Sequence, residues 1–102
     1  MSIRINLSNQ PVLIQCATPT EFFALQRAFY GNAETEISRL GRREYFWVKQ
    51  NPDIIVFRGA VGKVWAAASA EAAITAFSPS ICIDFGAAGA LVSELRVGDV
   101  VV

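Results

Sequence analysis

Six residues, Val12-Leu13-Ile14-Gln15-Cys16-Ala17, run directly into Thr18-Pro19-Thr20-Glu21, and this junction restricts the fold more than any other feature of the chain. The first run is almost continuously apolar and rich in strand formers, as expected of a strand covered on both faces. The second offers Thr18 as N-cap, Pro19 at the first helical position with its φ already set, and Glu21 at the third position to complete a capping box. A strand that passes into a helix with almost no intervening loop is the opening of an α/β crossover.

The same grammar continues along the chain. Phe22, Leu25, Ala28 and Phe29 lay an apolar stripe on the helix, and Gly31-Asn32 is a stop because both residues tolerate a left-handed conformation. Ala33 to Arg43 is polar and ambiguous. Tyr45 to Val48 and Ile54 to Phe57 read as strands separated by the turn residues Asn51-Pro52-Asp53. Lys63 to Phe77 is an alanine-rich helix on which Val64, Ala67, Ala68, Ile74 and Phe77 share or adjoin one face. Ser78-Pro79 ends it, and Ile81 to Phe85 is a further apolar strand. Upstream, Ile3, Ile5 and Leu7 recur with a period of two, which suggests a short first strand. Val97-Gly98-Asp99 reads as a turn leading into a last strand over Val100 to Val102. The expected fold is therefore α/β, a mainly parallel or mixed sheet flanked by helices, in one domain spanning residues 1–102. Ligands in such sheets gather beyond the carboxyl ends of strands, which points to Ala17–Glu21 and Phe85–Ala90.

Composition narrows the chemistry. A hydrophobic fraction of 53% against 18% charged residues provides for a real core, so the chain folds rather than stays disordered. Nine basic and nine acidic residues cancel, removing the field that would draw the protein to nucleic acid or to an anionic membrane. The cluster Arg39, Arg42, Arg43 reads as a solvated loop or helix end. Histidine is absent, which excludes a Ser-His-Asp mechanism and the commonest metal ligand together. No metal or cofactor is implied. Cys16 and Cys82 lie in apolar runs and read as buried thiols of a reducing compartment. With no signal-peptide core and no bilayer-length apolar stretch, the expectation is a soluble, cytoplasmic protein.

Three segments could carry chemistry. Gly86-Ala87-Ala88-Gly89-Ala90 would let backbone amides approach an anion or a sugar without obstruction. A tight turn of small residues explains the same composition, and spacing alone favours that plainer reading. Gly59-Ala60-Val61-Gly62-Lys63-Val64 fails as a phosphate-binding loop, because Phe57 and Val64 stand where a glycine and a hydroxyl are needed. Glu21 could take a proton from a water at a strand's carboxyl end, although a capping box uses the same residue. Asp84 fits a rim position, and Trp47 and Trp65 read as core or interface residues rather than stacking platforms.

Taken in order, these segments resemble the nucleoside phosphorylase and nucleosidase superfamily, and most of all the N-terminal half of its methylthioadenosine/S-adenosylhomocysteine nucleosidases and futalosine hydrolases. The residues that carry the resemblance are Ala17-Thr18-Pro19-Thr20-Glu21, Gly59-Ala60-Val61-Gly62-Lys63-Val64, Phe85-Gly86-Ala87-Ala88-Gly89-Ala90-Leu91 and Leu95-Arg96-Val97-Gly98-Asp99-Val100-Val101-Val102. The resemblance implies a purine-type nucleoside as ligand and gives Glu21 the role of activating the water that attacks the ribosyl carbon. It gives Ala87, Ala88 and Gly89 a place beside the nucleoside and Val61 and Gly62 a lining role near the ribose and a subunit interface. The first loop position often bears a hydroxyl in the family, and Ala87 has none. Family members are longer, and their C-terminal part supplies the acids that hold the ribose and protonate the purine. Each acid–base contribution is worth about two to four orders of magnitude, so catalysis by this chain alone is expected to be incomplete. Phosphorolysis fits less well than hydrolysis, since Ala17–Glu21 offers a carboxylate where phosphate ligands would be basic, although Arg58 or a neighbouring subunit's arginine could reach an anion. An unpaired terminal strand with uncovered apolar surface implies homo-oligomerisation. The alternative is an inactive nucleoside-binding or oligomerising module.

Overall fold

The computed structural model describes residues 10–50 and 52–102; the early strand expected around Ile3, Ile5 and Leu7 lies outside them. The elements are β1 (Val12–Cys16), α1 (Pro19–Tyr30), β2 (Ser38–Leu40), β3 (Arg43–Val48), β4 (Ile54–Arg58), α2 (Lys63–Phe77) and β5 (Ile81–Asp84). The strands form a mixed five-stranded sheet in the order β2-β3-β4-β1-β5. β1 is parallel to β4 on one side and to β5 on the other, whereas β3 is antiparallel to both β4 and β2. The carboxyl ends of β1, β4 and β5 consequently share one edge.

Alternation along the strands separates two cores. Ile14 and Cys16 of β1, Phe46 and Val48 of β3 and Val56 of β4 face α1, where they meet Phe22 and Leu25. Leu13, Ile55 and Phe57 face the other way, packing with Ala73 and Phe77 of α2. The helices therefore lie on opposite faces. Phe22 and Phe46 contact at 5.3 Å between centroids, and Phe77 meets the edges of Tyr45, Trp47 and Phe57 at 4.9, 6.0 and 6.4 Å. Each fully buried phenylalanine contributes about 1.5–3 kcal/mol by leaving water.

α1 begins as its sequence dictates. Thr18 is extended (φ −120°, ψ 156°), Pro19 opens the helix, and both bonds of the capping box are present. Gly31 ends the helix with φ 61°. β2 and β3 meet across a two-residue turn, with Gly41 at φ 60° in the first position, where hairpins of this kind use glycine.

The structure corrects four expectations. β2 arises from the polar stretch that looked ambiguous. α2 does not use the face of Val64, Ala67, Ala68 and Ile74: its buried residues are Ser69 and Ala73, with Ala66, Ala70 and Phe77 half-buried. Small side chains at this spacing let the helix axis sit close to the sheet, and the larger Val64 and Ile74 turn outward. Cys82 is exposed, because β5 has β1 on one side and no further described strand on the other. Val100–Val102 is not a strand; no described strand pairs with it, and an extended run without a hydrogen-bonding neighbour has nothing to hold it in a sheet.

Candidate active site

Glu21 stands in the first turn of α1, which brings its carboxylate back over the carboxyl end of β1. Oε1 accepts the amides of Ala17 and Thr18 at 3.0 and 3.1 Å, while Thr18 Oγ1 accepts the amide of Glu21 at 3.3 Å. Oε2 accepts the amide of Ala87, beyond β5, at 3.1 Å. One carboxylate thus caps a helix and ties together two loops that follow adjacent parallel strands. Burial works against its charge, but the amides of Ala87 and Ala17 and the hydroxyl and amide of Thr18 outweigh burial and hold the carboxyl below its ordinary range. It is ionised at neutral pH. A carboxylate oxygen has two lone-pair sites: both on Oε1 are used, whereas Oε2 has one bond and can accept another from a water.

Gly86 allows this approach. A Cβ added there would lie 3.2 Å from Glu21 Oε2. Beneath the site the buried Cys16 thiol contacts the carbonyl of Phe57 at 3.7 Å. Burial, and then the Glu21 carboxylate, push that thiol up to about 12 despite the opposing charge of Arg58, leaving it a neutral packing group.

A second concavity, of about 310 Å³, opens where β1 and β4 lie side by side but lead to helices on opposite faces. That is the crevice in which open α/β sheets hold ligands. Its floor is the main chain of Ala17 and of Gly59, whose amide donates to the Cys16 carbonyl at 2.7 Å. Its walls carry Arg42, Arg43, Arg58 and Glu44, and Arg58 pairs with Glu44 at 3.0 Å.

The expected site residues separate into groups. Glu21 and Ala87 are joined directly. Val61 lines the arginine-bearing crevice, and Gly62 is the N-cap of α2 at φ 96°. Ala88 and Gly89 follow Ala87 as exposed residues outside regular structure. Trp65 is exposed and stands against Arg43 rather than in a core. Arg42 and Arg43 were not legible as site residues. Their signal, two adjacent arginines in a polar segment, becomes informative only once the hairpin places them at the crevice.

The Phosphorylase superfamily profile matches residues 11–102, which takes in every element of the sheet and the Glu21 edge. The chain belongs to the phosphorylase superfamily. Among phosphorylase-superfamily relatives, the 5'-methylthioadenosine/S-adenosylhomocysteine nucleosidase of Staphylococcus aureus (strain bovine RF122 / ET3-1) is 37% identical over 68 residues, covering 67% of this chain and 30% of the relative. A crystal structure of the Helicobacter pylori 5'-methylthioadenosine/S-adenosylhomocysteine nucleosidase with butyl-thio-DADMe-Immucillin-A matches with a TM-score of 0.75 and 28% identity over 88% of this chain and 38% of that one. The native structure of Helicobacter pylori futalosine hydrolase matches with the same TM-score, identity and coverage. The chain therefore spans about a third of the length of these superfamily members. Among the described residues, no helix is long and apolar enough to cross a membrane.

Proposed function

We propose that this chain carries the base side of a purine-nucleoside N-glycosidic hydrolase, with Glu21 as the residue that orients and deprotonates the attacking water. The observation that carries this reading is the state of the carboxylate: ionised, fixed by amides from two loops, and left with acceptor capacity on Oε2. As the bond from ribose to purine breaks, positive charge develops on the sugar. A carboxylate beside that centre stabilises the charge and receives the water's proton as the new C–O bond forms. Backbone groups of Ala87, Ala88 and Gly89 flank the nucleoside in this reading, and Val61 and Gly62 border its sugar side. The departing purine also needs a proton, so these residues alone are expected to give incomplete catalysis. The whole sequence 1–102 acts as one domain of this kind. The low sequence charge and the lack of a bilayer-length apolar stretch support a cytoplasmic protein.

The proposal includes homo-oligomerisation. Val64, Trp65, Ile74 and Phe85 are exposed, and a second copy would cover apolar surface of that kind. Sedimentation that reports a monomer across a wide concentration range would remove this part.

The central test is adenine release from methylthioadenosine and S-adenosylhomocysteine, and hypoxanthine release from futalosine, by the chain and by Glu21→Gln. Release lost on substitution supports the hydrolase. A second reading, nucleoside binding without turnover, is favoured by the engagement of both Glu21 oxygens in structural bonds; binding without release would establish it.

A further inference from the structure

The crevice between β1 and β4 holds arginines for which water activation at Glu21 has no use. We propose that it is a carboxylate subsite for the tail of the bound nucleoside, an inference that rests on the nucleoside reading above. Arg58 and Glu44 neutralise each other at 3.0 Å. Arg42 and Arg43, on the same walls, have no acidic partner within ion-pair distance among the described residues. The crevice is therefore left with two uncompensated guanidinium groups.

Their setting is more ordered than that of surface arginines in general. Arg42 is held in the two-residue turn, and Arg43 opens β3 with its guanidinium 5.8 Å from the ring centroid of Trp65. A guanidinium placed against an indole keeps its N–H edge free for a planar oxyanion, which it grips with two parallel bonds. The volume of about 310 Å³ is at the small end of ligand clefts and suits a charged tail rather than an entire nucleoside. Continuity with the reacting edge comes through Ala17, which lines the crevice while its amide binds Glu21 Oε1. Two carboxylates, Glu44 within the crevice and Glu21 beside it, disfavour a doubly charged phosphate; a singly charged carboxylate balances the two free arginines.

The test is calorimetric titration of the intact chain with S-adenosylhomocysteine, with its carboxamide analogue and with methylthioadenosine, in the natural protein and in the Arg42→Gln/Arg43→Gln variant. The natural protein is expected to prefer the carboxylate over the carboxamide on the order of tenfold at low salt. The variant should lose that preference and keep its affinity for methylthioadenosine, which also reports that it is folded. Equal affinity for carboxylate and carboxamide, with methylthioadenosine still bound, would overturn the subsite and leave the nucleoside reading standing. Acetate that shifts the amide resonances of Ala17 and Ala60 while no nucleoside binds would overturn the nucleoside reading and retain a site for free carboxylates. Inorganic phosphate that displaces S-adenosylhomocysteine better than acetate does would overturn the carboxylate assignment. If neither acetate nor any nucleoside binds, both proposals fall.

Discussion

Glu21 Oε2 accepts the backbone amide of Ala87 at 3.1 Å, a bond that spans 66 positions of sequence and joins the start of α1 to the loop after β5. The other oxygen of the same carboxylate holds the amides of Ala17 and Thr18. A residue whose local role is to cap a helix is thereby also the link between two neighbouring strand ends. The two roles can be separated experimentally.

Glu21→Gln keeps one carbonyl oxygen for the cap but sets an amide N–H against the N–H of Ala87 when that oxygen faces Ala17 and Thr18. Hydrogen exchange at Ala87 should therefore accelerate in the variant while α1 keeps its protection. Glu21→Ala removes both roles, and chemical denaturation should show a loss of about 1–2 kcal/mol. Unchanged exchange at Ala87 in Glu21→Gln would mean that the cross-loop bond does not hold the loop.

The pH dependence follows from the same bonds. The folded protein holds the Glu21 carboxyl below its ordinary value of 4.5, because the amides of Ala87, Ala17 and Thr18 and the hydroxyl of Thr18 outweigh the opposing effect of burial. A group depressed on folding stabilises the native state fully above its unfolded pKa and loses that contribution as pH falls through the folded one. Denaturation midpoints of the natural protein should accordingly fall below about pH 4.5 more steeply than those of Glu21→Gln. Parallel curves for the two proteins would contradict this.

The parts of the fold legible in sequence are those in which local chemistry and tertiary position agree. Thr18-Pro19-Thr20-Glu21 specifies a helix start by itself, and Ile54–Phe57 is apolar on both faces because both faces are covered. α2 is different: its run of alanines gives nearly every face the same hydropathy, so the buried stripe through Ser69 and Ala73 leaves no periodic signal. β2 pairs through backbone bonds that Ser38 and Arg39 do not advertise. The apolar look of Cys82 belongs to a strand whose outer side is uncovered among the described residues. At the site, the carboxylate was legible through its capping motif and its family resemblance. Its partner at Ala87 is a main-chain amide, which any residue but proline would supply.

Ser69 offers a stability test remote from the site. Its side chain is 3% exposed, and its Oγ has no hydrogen-bond partner. A buried hydroxyl left unpaired carries its desolvation cost, and alanine is the better helix former. Ser69→Ala should raise stability by about 1 kcal/mol in urea denaturation; a loss of stability would show that the hydroxyl is satisfied in solution.

The two thiols should behave differently. Cys16 is fully buried, and burial together with the Glu21 carboxylate raises it to about 12, whereas Cys82 is exposed. Because the thiolate is the reacting form, iodoacetamide at neutral pH should leave Cys16 unmodified in the native chain and label it once the chain is denatured. Peptide mapping after brief exposure distinguishes the two sites, and rapid native labelling of Cys16 would contradict its burial.

Gly86 and Gly89 form the closest comparison available within one loop. A methyl group at Gly86 would lie 3.2 Å from Glu21 Oε2 and 3.8 Å from Cδ, while one at Gly89 meets nothing within 4 Å. Neither glycine has a positive φ, so alanine brings no backbone strain at either place. The contact at Gly86 is with the end of a side chain, which can swing away at little cost to stability. In moving, it leaves the Ala87 amide and the orientation on which the proposed chemistry depends. Gly86→Ala is therefore expected to lower nucleoside hydrolysis, or the pH-dependent part of nucleoside binding where turnover is absent, by about tenfold or more, with a stability change below about 1 kcal/mol. Gly89→Ala should be close to neutral in both measurements. Equal effects of the two substitutions would show that the loop, rather than the placement of the Glu21 carboxylate, governs the site.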